Sequence, residues 1–273
     1  MSRELGLRVV TGVLGASLLI ALVTVGGVGG TVFLTLVLSF GMLYEFSHIT
    51  FNMPDKQQKF WVLAALALLA FVMGWMSPTL RMNSLFFTFL ALFTYFLVTA
   101  QRYQGSAFLA HCQELMYSIF AIVYLIYLPL LLPAIRQDRF GQSWVLLFLF
   151  VNWAGDTGAY FVGKRFGKHK LYPLISPKKT VEGAFGGLLA SMLVALICTR
   201  VFHFPIPAFL VVAIAAIVSV VSQVGDLCES FLKRAFDKKD SGKILPGHGG
   251  FLDRFDGVVF SLPAMYTLIQ LLR

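Results

Sequence analysis

Long apolar stretches, separated by short polar connections, run along the whole chain. Nine of them reach or approach the roughly 17 to 25 residues that a helix needs to span a bilayer. They lie at about 9–26, 30–46, 59–76, 83–99, 115–133, 143–162, 183–203, 207–226 and 257–272. Because backbone groups in lipid must form their hydrogen bonds internally, we predict an all-α polytopic membrane protein with about nine transmembrane helices. The second and ninth stretches are short, so the number is nine, give or take one.

Composition agrees with a membrane protein. Apolar residues make up 58% of the 273 residues and charged residues only 13%, compared with about 25% charged residues in a typical soluble domain. The first stretch follows Arg3 and Arg8, as in a signal peptide. It lacks a clear small-residue cleavage site and further apolar stretches follow it, so we interpret it as a membrane helix.

The positive charge of the chain is interpreted as a sign of topology. A net charge of +9 would suggest a nucleic-acid partner in a soluble protein. If the N-terminus is cytoplasmic, 17 of the 22 Lys and Arg residues fall in cytoplasmic connections. The positive-inside rule therefore predicts an N-in, C-out arrangement, and we predict no nucleic-acid partner.

Polar residues divide the chain into two regions of one integral membrane unit. Residues 1–142 form almost purely apolar helices with short loops, whereas residues 143–273 contain three polar patches. The patches read NWAGDTGAYFVGKRFG, SPKKTVEGAFGG and VGDLCESFLKRAFDKKDSGKILPGHGGFLDRFDG. The predicted topology brings all three to the cytoplasmic face, which indicates a single polar site there.

Asp156 stands out in the sixth predicted helix, about 10 Å from its cytoplasmic end at the usual helical rise. An aspartate deep in the bilayer costs about 2.5 to 3.5 kcal/mol on insertion scales, so it is expected to face a cavity or a partner. Asn152 and Tyr160 share its helix face. Two interpretations stay open: a functional site, or a structural hydrogen-bond network between helices.

Two lysines directly precede another predicted helix. Lys178 and Lys179 lie in SPKKTVEG, with Thr180 as a candidate N-cap. Cations are disfavoured at a helix N-terminus, whereas free amides together with lysines and Ser176 are suited to a phosphate group. The alternative is that both lysines only set the topology.

The most polar patch lies between the last two predicted helices. Asp226, Glu229, Ser230 and Lys233 repeat at helical spacing, so they share one helix face near its cytoplasmic end. Such a face projects both acidic and basic groups toward the same region.

Asp253 and Asp256 are three residues apart and are predicted to open the final helix with both carboxylates on one side. Mg²⁺ is typically held by one or two carboxylates together with substrate phosphates and water, which makes Asp226, Asp253 and Asp256 candidate ligands. Simple helix capping explains one of these aspartates, but not the pair together with His248, Arg254 and the surrounding glycines. Acids for a metal and lysines for phosphates indicate phosphoryl or nucleotidyl transfer.

The segment SFLKRAFDKKDSGKILPGHGGFLDRFD, residues 230–256, resembles the signature of the phosphatidate cytidylyltransferases, or CDP-diacylglycerol synthases. That signature is S-x-[apolar]-K-R-x4-K-D-x-small-x2-[apolar]-[PGS]-x-H-G-G-[apolar]-x-D-R-[apolar]-D, and every fixed position matches. The upstream stretch GDTGAYFVGKRFGKHKLYPLISPKKTVEG is also similar to the family. The first 140 residues carry little specific resemblance.

The resemblance implies a Mg²⁺-dependent reaction in phospholipid biosynthesis, in which CTP and phosphatidate give CDP-diacylglycerol and pyrophosphate. It also implies a homodimer in the bacterial cytoplasmic membrane, with the active site facing the cytoplasm. By position, the metal-binding and catalytic acids would be Asp226, Asp253 and Asp256, and Lys233 would be catalytic. The phosphate and nucleotide surroundings would include Lys178, Lys179, Lys233, Arg234, Lys239, His248 and Arg254. Ser176 and Asp156, from the patterns above, complete the predicted substrate-binding set.

Two alternatives belong to other functional classes. The sequence DRFDG matches the start of the D-x2-D-G-x2-A-R motif of the CDP-alcohol phosphotransferases. Phe260 and Ser261 stand where that motif requires Ala-Arg, and no acid follows Asp256. A transporter would show polar residues at mid-membrane depth in several helices, often in repeated halves, whereas here the polar groups gather at one face.

Overall fold

The computed structural model describes residues 3–242, 244 and 249–272. Within these ranges the chain forms ten α-helices and one short β-hairpin. The helices are α1 (Arg3–Thr24), α2 (Gly27–Thr50), α3 (Lys56–Met76), α4 (Pro78–Thr99), α5 (Ser106–Ile122), α6 (Leu131–Arg136), α7 (Gly141–Phe166), α8 (Val181–Val201), α9 (Ala208–Ala235) and α10 (Leu252–Leu271). The strands are β1 (Lys170–Tyr172) and β2 (Ser176–Thr180), which pair antiparallel.

Most of the described helices are long and apolar enough to cross a membrane. Seven segments meet that criterion: Gly27–Thr50, Lys56–Met76, Thr79–Arg102, Ser106–Arg136, Gly141–Phe166, Val181–Val201 and Ala208–Ala235. The fourth runs from α5 through the π-helical turn Val123–Tyr127 into α6. The chain is therefore an all-α polytopic membrane protein in its main features. The prediction of nine spans, which counted α1 and α10 as well, stays a prediction.

The hairpin is a feature that the sequence pattern did not predict. It connects α7 to α8, and Tyr172 pairs with Ser176 while Lys170 pairs with Thr180. Lys178 and Lys179 therefore lie on a strand immediately before α8. The predicted cap is confirmed, because the Thr180 side chain accepts a hydrogen bond of 3.1 Å from the Gly183 N–H.

Two hydrophobic clusters form the interior, and α10 contributes to both. One is built around α7, where Trp144 and Phe148 are almost completely buried, together with residues of α8, α9 and α10. The other joins α2, α3, α4 and α5 and also contains Leu252 and Val259 of α10. The first turns of α10 are thus packed between the helices of the two sequence regions.

Close helix contacts bring Asp156 of α7, Asp226 of α9 and Asp256 of α10 together. A side chain at Gly158 of α7 would collide with Ala190 and the Gly186 carbonyl of α8. At the crossing of α9 and α10, Gly225 lies against Phe260 and Gly257 lies against Ser222. Small residues let membrane helices approach closely in this way.

The helices before residue 142 are less uniformly apolar than their sequence suggested. Lys59 of α3 is 1% exposed, and its Nζ lies 2.5 Å from Glu114 Oε2 and 3.0 Å from Asp55 Oδ1. Glu114 Oε1 also accepts the backbone N–H groups of Asn52 and Met53, at 2.9 and 3.2 Å. Lys59, at the start of the predicted span 59–76, is therefore buried in an ion-paired group.

Candidate active site

Three aspartates on three helices form the centre of the site, which we call the acid cluster: Asp156 of α7, Asp226 of α9 and Asp256 of α10. Their carboxylates are close enough to act electrostatically on one another. Each aspartate follows or precedes a glycine at a helix contact, Gly155, Gly225 or Gly257. The tight packing of α7, α8, α9 and α10 therefore places like charges side by side.

Lys179 of β2 pairs directly with the acid cluster. Its Nζ forms an ion pair with Asp226 Oδ2, and the two side chains are 27% and 38% exposed. Lys179 and Arg254 also interact electrostatically with Asp156, whose side chain is exposed. Positive groups therefore border the carboxylates of the acid cluster.

The hairpin that carries Lys179 is held by hydrogen bonds at its base and at its turn. Glu182 in the first turn of α8 accepts the N–H groups of Lys168 and His169, and it pairs with His169 Nδ1 at 2.6 Å. Arg234 at the end of α9 donates through Nε to the Ile175 carbonyl at 3.4 Å. These bonds hold β2 beside the end of α9 and so orient Lys179 toward Asp226.

Asp253 belongs to a separate hydrogen-bond network. Its Oδ1 accepts from Lys233 Nζ at 2.7 Å, and its Oδ2 accepts from the Ser241 and Gly250 N–H groups at 2.9 and 3.0 Å. Asp253 precedes the predicted span 257–272. Burial raises the pKa of its carboxyl, but the bonds from Lys233 and the two amides outweigh burial and hold that pKa below its usual range.

Lys233 links this network to Glu229. The Lys233 ammonium lies 2.5 Å from Glu229 Oε2, one helical turn away on α9. Glu229 is 1% exposed, and no hydrogen-bond donor reaches its Oε1 in the part of the chain that the structure describes. The sequence pattern predicted that Glu229 shares a helix face with Asp226 and Lys233, but it indicated no function for Glu229.

The donor set fits a hard divalent cation at Asp226 and Asp256. Their mutual repulsion would be relieved by a cation between them, and Mg²⁺ commonly uses one or two carboxylates together with phosphates and water. Among residues 3–242, 244 and 249–272, no group of three His, Cys, Asp or Glu side chains is arranged to hold a metal ion. Asp253 is bound to Lys233 and two amides instead, so its assignment as a third ligand stays a prediction.

The remaining predicted residues lie around this centre. Ser176 and Lys178 are on β2, with Lys178 exposed and Ser176 partly buried. Arg234 is occupied in holding the hairpin, and Lys239 is exposed beyond the end of α9. His248 falls outside the described residues.

Glu45 of α2 is the residue that sequence reasoning missed. It is 2% exposed, and its carboxylate accepts hydrogen bonds from the Phe251 N–H, the Leu252 N–H and the Ser241 hydroxyl. A single acid within the predicted apolar span 30–46 was the available signal, because ionisable groups inside a span usually have a specific partner.

The chain is similar in sequence to known proteins. The sequence profile of the cytidylyltransferase family matches residues 6–272. The phosphatidate cytidylyltransferase of Bacillus subtilis is 50% identical over 134 residues, which are 49% of this chain and 50% of that protein. The phosphatidate cytidylyltransferase of Staphylococcus saprophyticus is 50% identical over 129 residues, which are 47% of this chain and 50% of that protein. That of Staphylococcus haemolyticus is 47% identical over 136 residues, which are 50% of this chain and 52% of that protein. The chain spans about half the length of the curated relatives that it matches.

Proposed function

The chain belongs to the cytidylyltransferase family, and on this premise we propose that it is a phosphatidate cytidylyltransferase. The reaction joins CTP and phosphatidate to give CDP-diacylglycerol and pyrophosphate in phospholipid biosynthesis. The observation that carries this proposal is the acid cluster on α7, α9 and α10, bordered by Lys179 and Arg254. The names of the similar proteins support the choice of substrates.

The site suits a meeting of two polyanions, one in the membrane and one in solution. A phosphatidate head group lies at the membrane surface, whereas CTP approaches from water. Lys179 and Arg254 border the acid cluster and would bind phosphate oxygens, and Lys178 lies exposed on the same strand. The substrate-binding set that we propose is completed by Asp156, Ser176, Arg234, Lys239 and His248.

The reaction requires the protein mainly to align the two reactants and to offset their negative charge. A phosphate oxygen of phosphatidate attacks the α-phosphorus of CTP, the new P–O bond forms, and the bond to pyrophosphate breaks. The attacking phosphate is already an anion near neutral pH, so no strong general base is needed. Holding both reactants in line and offsetting the charge of the leaving pyrophosphate supply the acceleration.

Mg²⁺ is the cofactor that we propose, with Asp226 and Asp256 as its principal ligands. When bound, it would supply positive charge to the phosphate oxygens of CTP. Asp253 was expected to be a third ligand. Its bonds to Lys233 and to two backbone amides support a role in holding Lys233 and the first turn of α10.

We place the protein in the bacterial cytoplasmic membrane with the site facing the cytoplasm. The excess of Lys and Arg in the connections on that side supports this orientation. A homodimer remains part of the proposal, and it comes from the family resemblance alone. CTP is a cytoplasmic metabolite, so this orientation also gives the site access to its soluble substrate.

Purified protein incubated with phosphatidate, labelled CTP and Mg²⁺ tests the activity. We expect labelled CDP-diacylglycerol and pyrophosphate, no product with EDTA, and no product when diacylglycerol replaces phosphatidate, because diacylglycerol lacks the attacking phosphate. A CDP-alcohol phosphotransferase would instead consume CDP-diacylglycerol with an alcohol and release CMP. A transporter would convert neither lipid. Release of CMP, or no turnover of CTP by folded protein, would refute the proposal.

A further inference from the structure

Glu45 joins the two ends of the segment that connects α9 to α10. Its Oε2 accepts from the Ser241 hydroxyl at 3.1 Å and from the Leu252 N–H at 3.0 Å. Its Oε1 accepts from the Phe251 N–H at 3.0 Å. One carboxylate from the N-terminal region of the chain therefore ties residue 241 to residues 251 and 252.

The backbone around this carboxylate is shaped to receive it. A Cβ atom at Gly242 or at Gly250 would collide with the Glu45 carboxylate. Both residues belong to the glycine-containing part of the polar patch, and both lack the side chain that would exclude Glu45. Here the glycines allow a close approach of backbone to a buried acid.

The electrostatic reason for the contact lies at the start of α10. The first N–H groups of a helix have no partner within the helix, and the helix dipole favours negative charge there. Glu45 supplies that charge from another helix and satisfies the Phe251 and Leu252 N–H groups. Glu45 is only 2% exposed. Burying its carboxylate would cost free energy if these hydrogen bonds did not compensate for the lost contact with water.

The same contacts lead directly to the site. Ser241, whose hydroxyl donates to Glu45, also donates its N–H to Asp253 Oδ2 and accepts from the Asp253 N–H. Asp253 in turn holds Lys233 at 2.7 Å. Glu45 therefore stands one residue away from the network that orients Asp253 and Lys233, and it fixes the helix end that carries Asp256.

We infer that Glu45 is a positioning residue for the active site. It sets the register of the first turn of α10 against α9, and through that turn it sets the positions of Asp253 and Asp256. The effect on turnover rests on the proposed cytidylyltransferase function, whereas the effect on the segment does not. Loss of Glu45 would lower the rate of reaction without removing any group that touches a substrate.

Glu114 provides a matched control in the same chain. It is also 2% exposed and also accepts two backbone N–H groups and one side-chain donor, but its partners are Asn52, Met53 and Lys59. A general cost of removing a buried, hydrogen-bonded glutamate would appear in both variants. An effect of positioning would appear only in the Glu45 variants.

The experiment compares Glu45→Gln and Glu45→Ala with Glu114→Gln, using full-length protein. Hydrogen exchange should become faster at the Phe251 and Leu252 amides in both Glu45 variants and stay unchanged there in Glu114→Gln. For Glu45→Ala we expect kcat to fall about a hundredfold, which is the scale of a 1 Å misplacement, while KM for CTP changes less than about threefold. Glu45→Gln keeps one acceptor oxygen and should lose less.

The outcomes separate this inference from the proposed function. Unchanged exchange at residues 251 and 252 in folded Glu45→Ala, or faster exchange with a normal kcat, would overturn the positioning role. An equal loss of kcat in Glu114→Gln would overturn it as well. If the unaltered protein turned over no CTP, the proposed function would fail, and the exchange comparison would still decide whether Glu45 holds the segment.

Discussion

Two groups of charged residues illustrate different uses of charge in this protein. The N-terminal ionic group consists of Asp55, Lys59 and Glu114, with the Tyr103 hydroxyl donating to Asp55. The acid cluster consists of Asp156, Asp226 and Asp256. In the N-terminal group opposite charges alternate and Lys59 is enclosed, whereas in the acid cluster like charges adjoin and Asp226 is 38% exposed.

The N-terminal group is electrostatically closed. Both carboxylates contact the single ammonium of Lys59, and Glu114 also satisfies two backbone N–H groups at the end of α2. Burial raises the pKa of Asp55, but the hydrogen bond from Tyr103 and the charge of Lys59 outweigh burial and lower it. These charges serve to join α2, α3 and α5.

In the acid cluster, like charges repel one another. The negative charges of Asp226, Glu229 and Asp156 repel the Asp256 carboxylate. Lys179 forms an ion pair with Asp226. Adjacent like charges are unfavourable without a partner, and a bound Mg²⁺, as proposed above, would relieve their repulsion. The contrast teaches that the neighbours of each carboxylate, which are opposite charges in one group and like charges in the other, distinguish a candidate binding site from a structural ion pair.

The largest expected effect is on stability, in the N-terminal ionic group. Lys59→Met should lower the free energy of unfolding by about 3 to 5 kcal/mol, because two buried carboxylates lose their partner. Turnover per folded molecule should stay within about threefold of normal. Thermal unfolding in detergent together with activity of the folded fraction measures both. A hundredfold loss of turnover with intact stability would reverse the contrast between the two groups.

The second effect is on catalysis, in the acid cluster. Asp226→Asn and Asp256→Asn keep the size of the side chain but remove the charge, so each should slow turnover at least about a hundredfold, or about 2.7 kcal/mol of barrier. Stability should be unchanged or higher, because repulsion is relieved. Asp253→Asn should also reduce activity, with a loss of stability from the Lys233 network. Normal turnover in both Asp226→Asn and Asp256→Asn would remove the basis for the metal assignment.

A smaller effect should come from the metal itself. Mg²⁺ at ten times its dissociation constant should stabilise the unaltered protein by about 1.4 kcal/mol, because it binds the folded state only. The same addition should give no rise in melting temperature for Asp226→Asn, and the full rise for Glu114→Gln. Equal stabilisation of Asp226→Asn and unaltered protein would place the cation elsewhere.

The smallest perturbation tests whether the two groups face the same side of the membrane. Single cysteines at Lys56, beside the N-terminal ionic group, and at Lys239, beyond α9, should both react with a membrane-impermeant reagent from the cytoplasm. A cysteine at Gly29 should react only from the opposite side. Labelling of the first two positions from opposite sides would refute the predicted topology.

Local pattern was sufficient for much of this protein. Apolar runs predicted the membrane helices, the residue order in SPKKTVEG predicted the Thr180 cap, and the motif from residue 230 to residue 256 predicted the family. These features depend on neighbours a few residues apart, because helical period, capping and signature spacing are all short-range. The same reasoning predicted Asp226 and Asp256 as members of one site, and the structure brings their carboxylates close enough to repel each other.

Tertiary structure alone decided how distant residues meet. Glu45 bonds to Phe251 across 206 positions, and Lys59 bonds to Glu114 across 55 positions. Lys179 reaches Asp226 only because the hairpin folds back beside α9. No local pattern encodes such pairings, because they depend on which helices pack together and how closely their glycines let them approach. For the same reason the sequence grouped Asp253 with the metal ligands, whereas the fold joins it to Lys233, Ser241 and Gly250.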